Sequence, residues 1–294
     1  MKEKTIYALG FFDGVHKGHQ ALLSACKELA TAEKCRTGVV TFTNHPDALV
    51  FGENPRLITT AADRRALLKH YGMETIVEIP FDKEMMQTPW QSFLAMLEKD
   101  YGGAGFVCGH DFRFGKGGEG TAPLLQAFCQ EKGMACRVVA EQKIGDITVS
   151  STYIRSLIEA GDMEKTTQFL GHSLQLTGEI VKGEQLGRTF GIPTANMALP
   201  KEMVALKHGV YAGLLRVDGE THLAVTNIGS RPTVGGQNVT VESWLPDFSG
   251  DLYGKTATVT LSYFLREEKK FQNVEALRAE IQKNAAEARK LLGK

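Results

Sequence analysis

Residues 5–19 read Thr5-Ile6-Tyr7-Ala8-Leu9-Gly10-Phe11-Phe12-Asp13-Gly14-Val15-His16-Lys17-Gly18-His19. Thr5–Leu9 is a β-branched and apolar run, the pattern of a buried strand. The glycines that follow permit a tight turn and a close backbone approach to a ligand. Beyond them Leu22, Ala25, Cys26, Leu29 and Ala30 recur at helical spacing, which predicts a helix over residues 17–33. The alternation continues. Thr37–Phe42 reads as a second strand, Ala61–Tyr71 as a helix stopped by Gly72, and Thr75–Ile79 as a third strand. Thr88 reads as an N-cap with Pro89 at the first helical position, opening a helix to about Tyr101. Phe106–Gly109 and Arg137–Ala140 read as two more strands with a helix between them. Strand-helix alternation implies a parallel sheet with helices on both faces, and ligands on such sheets sit at the carboxyl ends of strands.

The second half has a different texture. Leu174–Val181, Gly209–Val217, Thr221–Ile228, Val239–Trp244 and Thr256–Tyr263 are short β-rich runs punctuated by turn residues. They predict an antiparallel barrel or sandwich. Val274, Leu277, Ile281, Ala285, Ala288 and Leu292 give a closing helix one apolar stripe. The boundary falls near Gly171–Ser173, giving domains 1–172 and 173–294. The fold class is therefore α/β followed by all-β with a terminal helix.

Composition narrows the classes. The 294 residues are 43% hydrophobic and 23% charged, which excludes a disordered chain, a collagen and a disulfide scaffold. Lys plus Arg (34) equals Asp plus Glu (34), and dividing at residue 172 leaves 19 basic against 21 acidic residues before it and 15 against 13 after it. Neither half carries a field that recruits nucleic acid. Five cysteines without CxxC spacing argue against zinc or a disulfide framework, favour a reducing cytoplasm, and read as core residues. No apolar run is long enough to span a bilayer, and the N-terminus lacks a signal peptide's apolar core.

The first chemical site follows the first strand. His16 and His19 are spaced i, i+3, as two residues sharing one helix face. Imidazoles beside a helix N-terminus suit a phosphoryl group that gains charge in its transition state. The bland alternative is a solvated helix start with two incidental histidines. After the last strand of this half comes Val149-Ser150-Ser151-Thr152-Tyr153-Ile154-Arg155. Its hydroxyls can cap a helix and donate to phosphate, and Arg155 can fork onto one. A simple capping cluster is the alternative reading.

Taken together, the two motifs resemble the HIGH-type nucleotidyltransferase superfamily, whose domain is Rossmann-like. The resemblance implies that His16 and His19 contact the ATP α-phosphate region. Ser150, Ser151, Thr152 and Arg155 would hold the β- and γ-phosphates, and Gly10, Phe11, Asp13, Gly14 and Gly18 would line the nucleotide loop. Two further segments, Thr41-Phe42-Thr43-Asn44-His45-Pro46 and Gly109-His110-Asp111-Phe112-Arg113-Phe114-Gly115, resemble those of the prokaryotic bifunctional riboflavin kinase/FAD synthetase family. Phe112 and Phe114 can stack on a planar ring. The family's usual text after the second strand is Phe-Asp-Pro-His-Pro, and here Thr43 and Asn44 replace the Asp-Pro pair. Asn44, Asp111 and Phe112 are the flavin-contacting expectations of this half.

The β-rich half contains Gly178-Glu179-Ile180-Val181-Lys182-Gly183 and Gly187-Arg188-Thr189-Phe190-Gly191-Ile192-Pro193-Thr194-Ala195-Asn196. Glycines beside Lys182 and Arg188 suit a loop that wraps phosphate. Thr194 and Asn196 fall on one side of an extended segment and offer hard oxygen ligands for Mg²⁺. A Gly-rich hairpin broken by proline is the alternative. Asn227-Ile228-Gly229-Ser230-Arg231-Pro232-Thr233 reads as a turn after a strand. Glu242 puts a carboxylate in an apolar strand, either as a base for a substrate hydroxyl or facing water on an edge strand. These segments resemble the riboflavin kinase domain in order. By that resemblance Thr194 and Asn196 bind Mg²⁺ with ATP, Glu242 is the general base, Lys182, Gly183, Gly187 and Arg188 hold phosphate, and Asn227, Arg231 and Arg266 lie near the flavin.

The resemblance covers nearly the whole chain. It implies phosphorylation of riboflavin to FMN by the C-terminal domain, then adenylylation of FMN to FAD with release of pyrophosphate by the N-terminal one. The substrates would be riboflavin, FMN and ATP, with Mg²⁺, no tightly bound redox cofactor, no nucleic acid and no membrane. The sequence gives no oligomeric state. The rival readings are another phosphate acceptor for the first domain, and a flavin-binding sensor or regulator that lost the chemistry. Intact His16, His19, Thr194, Asn196 and Glu242 weigh against the latter.

Overall fold

The computed structural model describes residues 3–52, 54–183, 192–233 and 236–294. Contacts divide the chain into two compact units, one of Met1–Pro55 with Arg64–Ser151, the other of Arg56–Asp63 with Thr152–Lys294.

The first unit follows the alternation read from the sequence. Its elements run β1 (Thr5–Leu9), α1 (Lys17–Glu33), β2 (Arg36–Phe42), α2 (Pro46–Val50), α3 (Ala61–His70), β3 (Thr75–Ile79), α4 (Lys83–Gln87), α5 (Trp90–Tyr101) and β4 (Gly103–Gly109). A short hairpin, β5 (Arg113–Phe114) and β6 (Gly120–Thr121), precedes α6 (Ala122–Lys132) and β7 (Ala135–Val139); a second, β8 (Lys143–Ile144) and β9 (Ile147–Thr148), follows. The parallel sheet has the order β3-β2-β1-β4-β7. Alternation along β1 explains why it is apolar throughout. Ile6 and Ala8 pack on one face with Leu22, Leu23 and Cys26 of α1 and Leu68 of α3. Tyr7 and Leu9 pack on the other with Leu94 and Leu97 of α5 and Leu125 of α6. A strand buried on both faces has no polar side to show. Each fully buried leucine in these layers contributes about 2 kcal/mol.

Several strand ends shift by two or three residues, β4 starting at Gly103 rather than Phe106, and one helix start differs in kind. Thr88 does not cap α5; its Oγ1 donates to Glu84 O at 2.9 Å, closing α4. Pro89 itself is the N-cap of α5, without a side-chain cap bond. The sequence pattern missed α4, a single short helix whose cap is Asp82. The five cysteines are free, with Cys26, Cys108 and Cys129 buried. Burial pushes the Cys108 thiol up to about 12, so it stays protonated and inert near neutrality.

The second unit adds α7 (Ser151–Ala160) and α8 (Met163–Leu170), then β10 (Leu174–Glu179), β11 (Thr194–Ala198), β12 (Gly209–Val217), β13 (Glu220–Thr233), β14 (Gly236–Trp244), β15 (Thr256–Arg266) and α9 (Val274–Leu292). The antiparallel sheet has the order β10-β15-β12-β13-β14-β11. It curls, and a bridge between Val181 and Asn196 joins its two ends, so the barrel alternative holds over the sandwich. The segment Asn227–Thr233 is not a turn but the continuation of β13. Pairing to β12 ends at Ile228, whereas pairing to β14 runs on to Thr233. Pro232 is tolerated because only one edge of the strand is paired there. The stripe of α9 covers the barrel, with Ala285 and Ala288 fully buried against Ala212, Leu223 and Trp244.

Candidate active sites

In the first unit the sheet order reverses between β1 and β4, and a crevice opens outside their carboxyl ends. A cavity of about 370 Å³ fills it, lined among others by Gly10, His16, His19, Asp111, Ser150 and Ser151. The loop leading from β1 is strained: Phe12 (φ 61°) and Val15 (φ 41°) are left-handed without being glycine, while Gly14 takes φ 76° at no such cost. Tertiary bonds hold it. Thr41 Oγ1 donates to Phe11 O at 2.9 Å, Gln20 Nε2 to Val15 O at 2.9 Å, and Ser151 Oγ to Asp13 O at 3.2 Å.

His16 does not share a helix face with His19. It is the N-cap of α1, extended and buried, and its Nδ1 accepts from His19 N at 3.3 Å. A ring that accepts at Nδ1 carries its neutral-form proton on Nε2. The two imidazoles stack face to face, 3.6 Å between centroids and 15° apart. Gly18 leaves room for this, since a Cβ there would stand 3.1 Å from the His16 ring. Burial, then the neighbouring His16 and Arg64, holds His19 well below the ordinary histidine pKa of 6.5. The folded state therefore excludes a proton that the unfolded chain accepts. Stability is unaffected above about pH 6.5 and is lost as pH falls below it, by at most about 1.4 kcal/mol per pH unit. Urea midpoints taken at pH 7.5 and 5.5 check this, and His19→Gln is expected to flatten the difference.

The other expected residues of this unit fall as follows. Phe112 lines the cavity and stacks on Phe114 at 5.4 Å and 17°, whereas Phe114 is core. Asn44 is not in the lining of the two cavities that Phe112 shares with Phe42 or with His16; its amide brackets Phe81, donating to its O at 2.9 Å and accepting from its N at 3.0 Å. Thr152 and Arg155 occupy the first turn and a half of α7, exposed and half-buried respectively. Two features escaped the sequence reading. An apolar cavity of about 770 Å³ is lined by Phe42, Pro46, Phe81, Met85, Phe93 and Phe112 among others, and Phe51 stands exposed at its edge. Arg64 is buried with its guanidinium 4.2 Å over the Phe11 ring. Neither had a local signal, because each forms only when distant segments pack.

In the barrel, register builds the site. Asn196 pairs with Glu242, Glu242 with Asn227, Asn227 with Val210, and Val210 with Arg266. Directly paired residues share a face, so these five form one row across five strands. Four of them line a cavity of about 380 Å³ together with Thr194, Trp244 and Asn284. Glu242 lies on a strand paired on both sides, so the edge-strand alternative fails. Its Oε1 accepts from Thr240 Oγ1 at 3.4 Å. Asn196 is buried, and its Nδ2 donates to Thr194 O at 3.1 Å and to Thr194 Oγ1 at 3.2 Å. That turns Asn196 Oδ1 and the Thr194 hydroxyl into neighbouring hard donors.

A divalent cation with nucleotide phosphates and water needs only one or two such protein oxygens. Gly183 lies flush against them: a Cβ there would stand 2.8 Å from the Asn196 amide. Gly183→Ala is accordingly expected to lower the activity of this site at least tenfold, a loss of about 1.4 kcal/mol, while leaving the other site untouched; parallel rate assays check it. Lys182 is exposed, 5.8 Å over the Tyr253 ring. Gly187 and Arg188 lie outside the described residues, and Arg231 is described only by its strand pairing with Asn238. Arg266 is anchored, Nε donating to Asn284 Oδ1 at 3.1 Å and lying 3.4 Å from Glu280 Oε1. Asn284 was legible as a polar residue interrupting the α9 stripe.

Two family models match consecutive parts of the chain: FAD synthetase over residues 1–153 and riboflavin kinase over residues 170–292. The chain belongs to the bifunctional riboflavin kinase/FMN adenylyltransferase family. The protein of that name from Listeria monocytogenes is 32% identical, with 98% of this chain and 93% of the relative covered. Those of Escherichia coli K12 and Bacillus subtilis are 32% and 31% identical, covering 99% and 97% of this chain and 94% and 92% of theirs. A crystal structure from Streptococcus pneumoniae, described as a macrolide-efflux protein, superposes with a TM-score of 0.89 at 28% identity over 98% of this chain and 95% of its own. Among the described residues no helix is long and apolar enough to cross a membrane. The full-length curated relatives carry the enzyme name.

Proposed function

We propose that the chain makes FAD from riboflavin in two ATP-dependent steps, with phosphorylation of riboflavin assigned to residues 173–294 and adenylylation of FMN to residues 1–172. In the barrel, Glu242 takes the proton from the ribityl hydroxyl as its oxygen attacks the γ-phosphorus of ATP, and ADP leaves. Thr194 and Asn196 would hold Mg²⁺, which neutralises phosphate charge when bound, while Lys182, Gly183, Gly187 and Arg188 wrap the phosphates. Trp244, Asn227, Arg231 and Arg266 position the flavin.

In the first unit, an FMN phosphate oxygen attacks the α-phosphorus of ATP and pyrophosphate leaves. The His16 Nε2–H and the neutral His19 ring steady the α-phosphate. Ser150, Ser151, Thr152 and Arg155 hold the leaving phosphates, with Gly10, Phe11, Asp13, Gly14 and Gly18 forming the loop beneath. The apolar cavity beside Phe112 takes the isoalloxazine ring, and Asp111 stands at its polar edge. Asn44 acts by fixing Phe81, which lines that cavity. The free cysteines suit the reducing cytoplasm.

The observation that carries this reading is the coexistence, in one chain, of a stacked histidine pair at the sheet's switch point and the Asn196–Glu242–Asn227 row in the barrel. The test is a time course with riboflavin, ATP and Mg²⁺, resolved by chromatography. FMN first and FAD later is the expected result. FMN without FAD would redirect the first unit to another acceptor, and bound flavin without product would make the chain a sensor.

A further inference from the structure

Arg64 is the largest fully buried side chain of the described residues, 1% exposed. Its Nη2 donates to Phe42 O at 2.9 Å, at the carboxyl end of β2. Its Nη1 is buried without a hydrogen-bond partner. Among the described residues it joins no close ion pair; the buried Asp13, and Glu78, which is paired with Arg65 at 2.6 Å, are the negative groups that act on it from farther away. A buried cation with no carboxylate in direct contact is costly, and folds keep one where an anion completes it or where its field has a use.

Its surroundings say which. The guanidinium carbon sits over the Phe11 ring, 4.2 Å from its centroid. Phe11 lines two cavities at once: the one with His16, His19 and Ser151, and a second of about 260 Å³ with Phe42, His45 and Phe112. Phe11, with Leu9, Gly10 and Phe112, thus stands between the nucleotide side and the apolar side. Its other edge meets His45, 4.4 Å away.

We propose that Arg64 is a positioning residue for FAD formation: it clamps Phe11 as the wall between the two substrates and supplies positive charge, with no carboxylate bonded to it, beneath the place where two phosphates must meet. This rests on the adenylyl-transfer reading above. Two anionic groups approach there, and a fixed cation that needs no reorganisation lowers the repulsion between them. Arg suits the role better than Lys, because its guanidinium can sit over the Phe11 ring while Nη2 donates to Phe42 O. The same charge disfavours protonation of His19.

The test measures FAD formation from supplied FMN and ATP in the full chain bearing Arg64→Gln or Arg64→Lys, from pH 5.5 to 8, beside the His19 ring titration followed by NMR. Arg64→Gln is expected to lower kcat by about 10- to 100-fold and to shift the His19 titration to higher pH. The other ionisable groups at that cavity, His16, His110, Asp111 and Glu141, and those that act on Arg64, namely Asp13, Glu78 and Arg65, are unchanged in both variants. Arg64→Lys keeps the charge and loses the stack, so the His19 titration stays put while kcat falls less. Wild-type kcat in Arg64→Gln, or equal losses in both variants with an unmoved His19 titration, overturns the proposal. Should Arg64→Gln lose its dispersed ring signals, Arg64→Lys carries the test alone: reduced kcat with an unmoved titration supports it, wild-type kcat overturns it. If instead His16→Ala leaves FAD formation intact, the adenylyl-transfer reading itself fails, an outcome distinct from these.

Discussion

Replacing Glu242 by glutamine lowers FMN formation about a thousandfold, about 4 kcal/mol of transition-state stabilisation, and leaves FAD formation from supplied FMN unchanged. The physical case is local. Glu242 sits mid-strand between Asn196 and Asn227, on the face that lines the barrel cavity, with Thr194 on the same wall. Glutamine has the same shape, so the row and its strand pairing survive. Only the basic oxygen is lost, and with it the acceptor for the hydroxyl proton. Separate assays on riboflavin and on FMN read the two steps in one preparation. Full FMN formation in Glu242→Gln would remove Glu242 from the mechanism. Loss of both activities together would show that the two steps are not independent.

The second large effect falls on the other unit. His16→Ala is expected to cut FAD formation by about 100- to 1,000-fold while FMN formation continues. The proposed mechanism gives His16 a second job beside its cap, and the two separate. It caps α1 through Nδ1, so alanine also costs about 1 kcal/mol of stability. Asparagine is among the best N-caps but has no imidazole. His16→Asn should therefore recover the thermal midpoint without recovering FAD formation. If asparagine restored the activity, His16 would be a cap and nothing more.

Much of the fold was legible because local periodicity carries it. The helix over residues 17–33 and the strands Thr5–Leu9 and Thr75–Ile79 coincide with α1, β1 and β3. The misreadings came where local chemistry was ambiguous. Thr88-Pro89 has the form of a helix start, yet the Thr88 hydroxyl belongs to the preceding short helix. Asn227–Thr233 has turn residues throughout, yet it extends a strand, because only the partner β14 continues alongside it. The i, i+3 spacing of His16 and His19 suggested a shared helix face. The stack arises instead because His16 lies just before the helix and folds back over it.

Taken by itself, the chain's sequence determined the two fold classes, their order, and the motifs that mark the candidate sites, since these depend on short-range pattern. Tertiary structure alone decided which residues meet. Placing β14 between β13 and β11 takes Glu242 off any edge and aligns it with Asn196 and Asn227, and pairing β12 with β15 adds Arg266 to the same row. Packing of α3 against the β1 loop puts the Arg64 guanidinium under Phe11. Strand order, register and the burial of a charge are set by contacts between segments far apart in the chain, and no local pattern encodes them.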